Sequence, residues 1–375
     1  MKFNVSGKAL QTQLLAVSKV INSKNALSIL DNFLFEIKED KLYITGSDQE
    51  NVVRAELEIM ESDSDGSIAV SAKRMLDIMK EVNNQALTFI IDENTMEIDI
   101  KFLNGHFNFK GISHEEYPRP AAMEPDSITF PLPVTTVLKG IENTLFGAST
   151  ETIRPILTGI LWDIHNDEIT FVTTDTHKLV RYINRECVPA TEVKFTMPPK
   201  PANILKSILS KEDETVILTL DSKSATFKFG SYTLSCRFIK GVYPNYERVI
   251  PADNPFILTV DRVTMLNAMR RVALSASMAS NLVRFNIQPD EVLLSSQDLD
   301  YGTFADERVA CEYSGNTMTI GFNATYMIEL LSNLKSETVT INLSDPSRPG
   351  IFKPEQQPEK EDILMLLMPM QVIDY

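Results

Sequence analysis

The stretch Ile37-x-x-Asp40-x-Leu42-x-Ile44-x-x-x-Asp48 decides the fold, because the chain contains it three times. Its second and third copies are Ile164-x-x-Asp167-x-Ile169-x-Phe171-x-x-x-Asp175 and Ile287-x-x-Asp290-x-Val292-x-Leu294-x-x-x-Asp298, offset by 127 and then 123 residues. Two alternating apolar runs joined by a polar turn predict a β-hairpin. A repeat of one third of the chain length therefore organises the molecule.

The elements around the hairpin repeat as well. A first helix is predicted where Leu10, Leu14, Val17 and Ile21 recur at helical spacing, and its apolar positions reappear in both later copies. A second helix is predicted over residues 72–82, 202–209 and 324–334, followed by alternating strands over 87–109, 216–238 and 339–368. A chance match of generic patterns would not reproduce this whole order at near-constant offsets.

This organisation predicts an α+β chain of three tandem domains, each with two helices against a multi-stranded sheet. Pro-rich polar linkers place the domains at 1–122, 127–251 and 255–375. Tandem modules that pack side by side form either a curved solenoid or a closed ring.

Composition narrows the function. The 375 residues carry 36 Lys+Arg against 51 Asp+Glu, a net charge of −15, which argues against nonspecific nucleic-acid binding through net charge alone. No GxxxxGK[ST] or GxGxxG motif occurs, so nucleotide-binding P-loop and Rossmann domains are poor candidates. Cys187, Cys236 and Cys311 form no CxxC pair. The start lacks a signal-peptide core and the longest apolar run is short, so we expect a cytoplasmic protein. We also expect no cofactor and no metal.

Basic residues nevertheless recur on the predicted helices. Helix surfaces carry Lys and Arg in any case, so either a solvated face or a phosphate-attracting stripe explains them. The residues are Lys8, Lys19, Lys73, Arg74, Lys80, Lys139, Lys200, Lys206, Lys211, Arg262, Arg270, Arg271 and Lys335.

Several motifs stand in order along the repeat: MKF at residues 1–3, RPILTG at 154–159, TDTHKL at 174–179, YPNYERVIP at 243–251, IGFN at 320–323 and LMPM at 367–370. Together they resemble the bacterial DNA sliding clamp family, the beta subunit of DNA polymerase III, over the full length. The resemblance implies the DNA clamp fold and a head-to-tail homodimer closed into a ring around duplex DNA, associated with the nucleoid. It adds Lys24 to the expected DNA-facing residues, whereas Glu151 stands at another such position with an unfavourable charge.

The resemblance also implies a peptide-binding groove between domains 2 and 3, used by the polymerase, the clamp loader and repair polymerases through short linear motifs. Leu, Val, Pro and Met can form an adaptable apolar groove, although each could also be plain core. The matching residues are Leu157, Thr174, His177, Lys178, Leu179, Pro244, Arg248, Val249, Ser347, Pro349, Leu367, Met368, Pro369 and Met370.

The chain departs from the family pattern near this groove. Thr176 stands where Gly is common, Lys178 where Arg is common, and Gln371 where a basic residue is common. Lysine lacks the bidentate fork of arginine, which changes the contact expected at position 178. The tail 373–375 extends past the usual end.

The resemblance places the dimer interface at Phe107 and Phe109 of one subunit and Ala273 and Leu274 of the other. Alternating apolar residues on a strand usually face a core, so the two Phe side chains have that alternative explanation. The sequence is compatible with a ring of two subunits and with a ring of three.

An enzyme is not expected. His114-Glu115-Glu116 lacks the second His of a zinc-protease HExxH motif. The repeated Asp48, Asp175 and Asp298 could suggest a hydrolase, but an Asp after a strand more often caps a turn. The hypothesis is a DNA polymerase processivity factor, and its alternative is an α+β scaffold that binds only protein peptides.

Overall fold

The computed structural model describes residues 1–119, 122–165, 167–186, 189, 191–209 and 214–372. Cys187, Lys211 and the tail 373–375 lie outside these ranges. The helices are α1 (Gly7–Ser18), α2 (Ala72–Val82), α3 (Val134–Thr144), α4 (Pro199–Ile208), α5 (Arg262–Val272) and α6 (Ala324–Asn333).

The strands follow the predicted order in each repeat. They are β1 (Lys2–Ser6), β2 (Asn32–Lys38), β3 (Lys41–Ser47), β4 (Asn51–Glu58), β5 (Glu61–Ser62), β6 (Gly66–Ser71), β7 (Ala86–Asp92), β8 (Glu97–Phe102), β9 (Gly105–Lys110), β10 (Ile128–Pro133), β11 (Ile160–Ile164), β12 (Ile169–Thr174), β13 (Lys178–Asn184), β14 (Val193–Met197), β15 (Thr215–Leu220), β16 (Ser224–Phe229), β17 (Tyr232–Arg237), β18 (Phe256–Asp261), β19 (Leu282–Ile287), β20 (Glu291–Asp298), β21 (Thr303–Ala310), β22 (Glu312–Tyr313), β23 (Met318–Asn323), β24 (Thr338–Leu343), β25 (Gly350–Pro354) and β26 (Glu361–Leu367).

The chain forms two compact units. The first contains Met1–Leu138 and Met197–Phe238, and the second contains Lys139–Thr196 and Ile239–Tyr375. The middle repeat thus contributes to both units, and the three-domain borders stay a prediction.

The first unit holds an eight-stranded sheet in the order β10-β15-β16-β17-β4-β3-β2-β6 and a five-stranded sheet in the order β5-β1-β7-β8-β9. The larger sheet crosses the first predicted border where β17 pairs antiparallel with β4, with Cys236 opposite Asn51. A backbone ladder therefore joins the first and second repeats.

The second unit repeats this construction. Its nine-stranded sheet runs β14-β11-β12-β13-β26-β25-β24-β18-β22, and a four-stranded sheet runs β21-β20-β19-β23. Antiparallel pairing of β13 with β26, with Lys178 opposite Leu367, crosses the second predicted border. The main core of this unit lies between the sheets and helices α5 and α6.

The helices begin where the sequence supplies caps. Ser6, Ser71, Asp261 and Asn323 each accept a backbone N–H in the first turn of α1, α2, α5 and α6. Helix α4 begins at Pro199, three residues before the predicted start. Proline fits there because the first-turn N–H groups of a helix have no intrahelical acceptor.

The three repeated Asp residues cap turns. In each hairpin, Oδ1 accepts two backbone N–H groups at 2.7–3.2 Å. The pairs of donors are Glu50 and Asn51 for Asp48, His177 and Lys178 for Asp175, and Asp300 and Tyr301 for Asp298. The turn-cap interpretation is confirmed.

No helix in the described ranges is long and apolar enough to cross a membrane.

Replacing Asp48 tests this turn. Asp48→Ala removes the acceptor of two N–H groups and the ion-pair partner of Lys200, so we expect a loss of about 2–3 kcal/mol in the free energy of unfolding. Asp48→Asn keeps the acceptor oxygen and should lose about 1 kcal/mol. Urea denaturation of both variants measures the difference, and equal losses would contradict a role for the turn hydrogen bonds.

Candidate functional site

An apolar patch covers one face of the nine-stranded sheet, at the seam between β13 and β26. Leu179 lies opposite Leu366, and Leu366 lies opposite Ile351, so the three side chains form one row. Period-two alternation puts the neighbouring apolar residues on the same face. The buried members of this cluster are Leu161, Val172, Leu179, Ile351, Leu364 and Leu366.

The segment that leads out of the middle repeat packs against this patch. Tyr243, Tyr246 and Ile250 are half-buried on it, and burial raises the pKa of both tyrosines. Tyr243 donates its hydroxyl to the carbonyl of Val172 at 3.5 Å. In the same segment Pro244, Arg248 and Val249 are exposed, the last at 52%. A buried apolar cluster is therefore bordered by exposed apolar and basic side chains.

Two predicted groove residues, Lys178 and Leu367, lie on the opposite face of the sheet from the apolar patch. Leu367 is fully buried in the main core of the second unit, and Lys178, directly opposite it, is 5% exposed. Lys178 Nζ lies 2.5 Å from Glu329 on α6 and 3.2 Å from Asp175. The prediction that these two line the groove is wrong, because alternation along β13 and β26 sends them to the helix side of the sheet.

Lys178 stays charged in spite of its burial. Burial lowers the pKa of Lys178, but the hydrogen bond to Glu329 and the charge of Asp175 outweigh it, so the pKa lies above its ordinary value. Its Nζ also lies 4.8 Å from the ring centroid of Tyr326. This lysine fastens the turn 175–178 to helix α6.

The turn itself presents His177 at the surface. The His177 ring stacks on Tyr326 with centroids 5.6 Å apart, and its carbonyl accepts the N–H of Met368 at 2.8 Å. Thr174 donates its hydroxyl to the Lys178 carbonyl at 2.7 Å. Thr176 has φ = +79°, a left-handed conformation that β-branched residues rarely adopt.

The remaining predicted groove residues divide into exposed and buried ones. Met368 is 40% exposed, Pro369 and Met370 are half-buried, and the Met370 N–H donates to Gly321 on β23. Ser347 is exposed in a turn held by Asp345, while Leu157 is 3% exposed. The Pro349 carbonyl accepts from Asn254 at 2.9 Å. Gln371 is exposed.

The sequence reasoning missed Leu366, Ile351, Tyr243, Tyr246 and Tyr326. Leu366 and Ile351 require the strand register, which no local pattern supplies. The two tyrosines at 243 and 246 stood inside the quoted YPNYERVIP motif, and their aromatic character was the signal that could have identified them.

Most of the predicted DNA-facing cations are either exposed and unpaired or paired with a carboxylate. Lys8, Lys19, Lys24, Lys73, Lys206 and Arg270 are exposed and make no ion pair with any described residue. Five others pair with carboxylates: Lys80 with Asp77, Lys139 with Glu361, Lys200 with Asp48, Arg271 with Glu307 and Lys335 with Glu142.

Two cations have structural roles. Arg262 donates to the carbonyls of Ser336 and Leu331 at 2.7 and 3.0 Å, which caps the end of α6, and its assignment to the DNA-facing set stays a prediction. Arg74 holds its guanidinium 5.4 Å from the Phe109 ring centroid. Glu151 is exposed, as its charge suggested.

The predicted dimer residues lie at two sheet edges. Strand β9 ends the five-stranded sheet, and on it Phe109 is buried while Phe107 packs on Phe102 at 5.2 Å. Strand β21 ends the four-stranded sheet, beside the turn Ala273–Ser275. Leu274 is 85% exposed there, and Met278 and Phe304, which the sequence reasoning missed, are 83% and 63% exposed.

The described ranges contain no group of three or more His, Cys, Asp or Glu residues that could hold a metal ion. His165 Nε2 lies 2.7 Å from Oδ1 of the buried Asp163 carboxylate. The hydrolase alternative loses its basis, because the Oδ1 atoms of its three carboxylates hold backbone turns.

Three family models match successive parts of the chain. They describe the N-terminal, central and C-terminal domains of the DNA polymerase III beta subunit, at residues 1–121, 131–245 and 247–371. The chain belongs to the DNA polymerase III beta subunit family. Its three tandem repeats therefore form the DNA clamp fold.

Individual relatives agree over the full length. The beta sliding clamp of Staphylococcus aureus is 27% identical, with 99% of both chains covered. The beta subunit structure from Streptococcus pyogenes superposes with a TM-score of 0.94 at 22% identity, covering 99% of this chain and 100% of that one. A Pseudomonas aeruginosa sliding clamp solved with griselimycin superposes with a TM-score of 0.93 at 23% identity, with the same coverage.

The strained turn makes a stability prediction. Thr176→Gly relieves a β-branched residue at φ = +79°, so we expect the free energy of unfolding to rise by about 1 kcal/mol. Gln49→Gly, at φ = +80° without β-branching, is the matched control and should gain less. Chemical denaturation compares the two, and a destabilised Thr176→Gly would contradict the strain argument.

Proposed function

We propose that this chain is a DNA polymerase processivity factor, an accessory subunit without catalysis of its own. Two copies close head to tail into a ring around duplex DNA, slide along it and hold the polymerase near the primer end. Tethering raises the effective concentration of the polymerase at its substrate, so weak contacts to the clamp are sufficient. Membership in the beta subunit family supports this function.

The observation that carries the proposal is the pair of unmatched sheet edges. Strands β4 and β13 pair with β17 and β26 across the two predicted borders inside the chain, and their repeat-equivalents, β21 in the third repeat and β9 in the first, are among the sheet ends. Exposed edges and exposed apolar side chains invite pairing. Different edges at the two ends favour a head-to-tail contact, and such contacts close when the rotation per subunit fits.

The exposed, unpaired lysines and arginines supply the DNA contact. In a chain with a net charge of −15, such cations attract phosphates locally while the acidic remainder repels DNA. Scattered phosphate contacts without base readout permit sliding. Lys8, Lys19, Lys24, Lys206 and Arg270 are the residues we assign to this role.

The apolar patch of the nine-stranded sheet is the proposed docking site for partners. Its buried floor is Leu179, Leu366 and Ile351, and its rim includes Val249 and Met368. An extended peptide with Leu and Phe anchors suits such a groove. We propose that the replicative polymerase, the clamp loader and repair polymerases share it, at the nucleoid in the cytoplasm.

Retention on DNA of different topology tests the ring. The chain is loaded by a bacterial clamp loader with ATP onto a nicked plasmid and washed in high salt, which weakens phosphate contacts. We expect it to stay on the circle and to leave after linearisation, as measured by gel filtration. A scaffold that binds only peptides would never elute with the circle, and a binder held by charge would leave both DNA forms.

Exposed rim residues test the groove. Val249→Ala with Met368→Ala should raise the Kd of a polymerase-derived peptide about tenfold, because two apolar contacts are lost without disturbing the core. The matched control is Val263→Ala with Met60→Ala, the same two residue types at exposed positions elsewhere, which should leave the Kd unchanged. Equal effects of both double variants, measured by fluorescence anisotropy, would contradict the assignment.

A further inference from the structure

The first Asp turn joins two repeats through an ion pair. Asp48 uses Oδ1 for its own turn, and its Oδ2 lies 2.5 Å from Nζ of Lys200, the second residue of α4. Beside it the N–H of Arg237 donates to the Glu50 carbonyl at 3.1 Å. The turn of one repeat is thus fastened to the second helix of the next.

The turn capped by Asp175 has the equivalent backbone hydrogen bond between repeats. The N–H of Met368 donates to the His177 carbonyl at 2.8 Å, as Arg237 does to Glu50. At the α6 position that corresponds to Lys200 stands Thr325, which carries no charge. Lys178, from within the turn, supplies the cation at 3.2 Å from Asp175 Oδ2 instead. A cation next to this carboxylate therefore occurs at both joints inside the chain.

The third Asp turn lacks its cation. Asp298 is 6% exposed and caps its turn through Oδ1, yet its Oδ2 has no ion-pair partner among the residues that the structure describes. The repeat-equivalent of Lys200 is Lys73, which lies 127 residues earlier and is likewise the second residue of its helix, α2.

Lys73 is also the available cation on α2. It is exposed and unpaired within the described ranges, whereas Lys80 pairs with Asp77 and Arg74 lies over Phe109. Among the described residues, Asp298 of the third repeat is thus a buried carboxylate without a cation, and Lys73 of the first repeat is an exposed cation without a carboxylate.

We propose that Asp298 of one subunit forms an ion pair with Lys73 of the partner subunit, completing at the subunit border the joint that Asp48 and Lys200 form inside the chain. This inference rests on the proposed head-to-tail homodimer. It also fixes a strand register. Asn51 lies opposite Cys236, and Lys178 opposite Leu367. Thr303 is the repeat-equivalent of Asn51 and Lys178, and Phe109 is the repeat-equivalent of Cys236 and Leu367. We therefore expect Thr303 to lie opposite Phe109 of the partner subunit, and Phe304 opposite Asn108 of the partner subunit.

A double-mutant cycle on dimer dissociation tests the ion pair. Asp298→Asn keeps the turn acceptor and removes the charge, and Lys73→Gln removes the cation. Each single variant should raise the dimer Kd about fivefold per interface, or about 25-fold for a ring with two interfaces, and the double variant should add little. Arg74→Gln, one residue away, is the control and should combine additively with Asp298→Asn. Sedimentation at graded concentrations gives each Kd, and additivity of Asp298→Asn with Lys73→Gln would overturn the pair.

Disulfide trapping tests the register without changing these charges. Residues directly opposite on antiparallel strands have Cα atoms about 4.5–5.5 Å apart, within reach of a disulfide. Phe304→Cys with Asn108→Cys should give a covalent dimer on oxidation, and Phe304→Cys with His106→Cys, shifted by two residues, should not. The reverse result would overturn the inference while leaving the dimer intact. A wild-type chain that sediments as a monomer at micromolar concentration would instead remove the homodimer itself.

Discussion

Antiparallel pairing between strands of successive repeats is the constraint on which the structure depends. Strand β4 pairs with β17, and β13 with β26, so that backbone hydrogen bonds rather than side chains alone connect one repeat to the next. Because such a ladder admits only registers that differ by whole residues, the position of every side chain at the border follows from it. The apolar row of Leu179, Leu366 and Ile351 exists only because two repeats share one sheet.

Much of this arrangement could be read from the sequence. The hairpin repeat ending in Asp48, Asp175 and Asp298 predicted the order of elements, and α2 occupies the predicted residues 72–82. The alternating strands predicted over 216–238 are present as β15, β16 and β17, which pair antiparallel in sequence order. These successes share a cause: periodicity and turn chemistry act over a few residues, so local sequence is enough to specify them.

What could not be predicted depends on contacts between distant residues. Whether Lys178 faces the apolar patch or α6 is decided by pairing with a strand almost 190 residues later, and its partner Glu329 lies 151 residues away in sequence. The position of Arg262 places it in the basic stripe, but its guanidinium donates hydrogen bonds to carbonyls at the end of α6. Charge on a helix surface is visible in a sequence, whereas its use by a neighbouring carboxylate or carbonyl is not.

The edge strand β9 has a consequence for the growing chain. It leaves the ribosome about 190 residues before β21, an interval of about 10–40 s at ordinary rates of translation. One side of β9 pairs with β8, whereas its outer edge is the end of the sheet, and nascent chains on one messenger lie close together. His106, Asn108 and Lys110 are exposed along this strand. Polar and charged side chains on an open edge discourage strand exchange between neighbouring chains on a polysome.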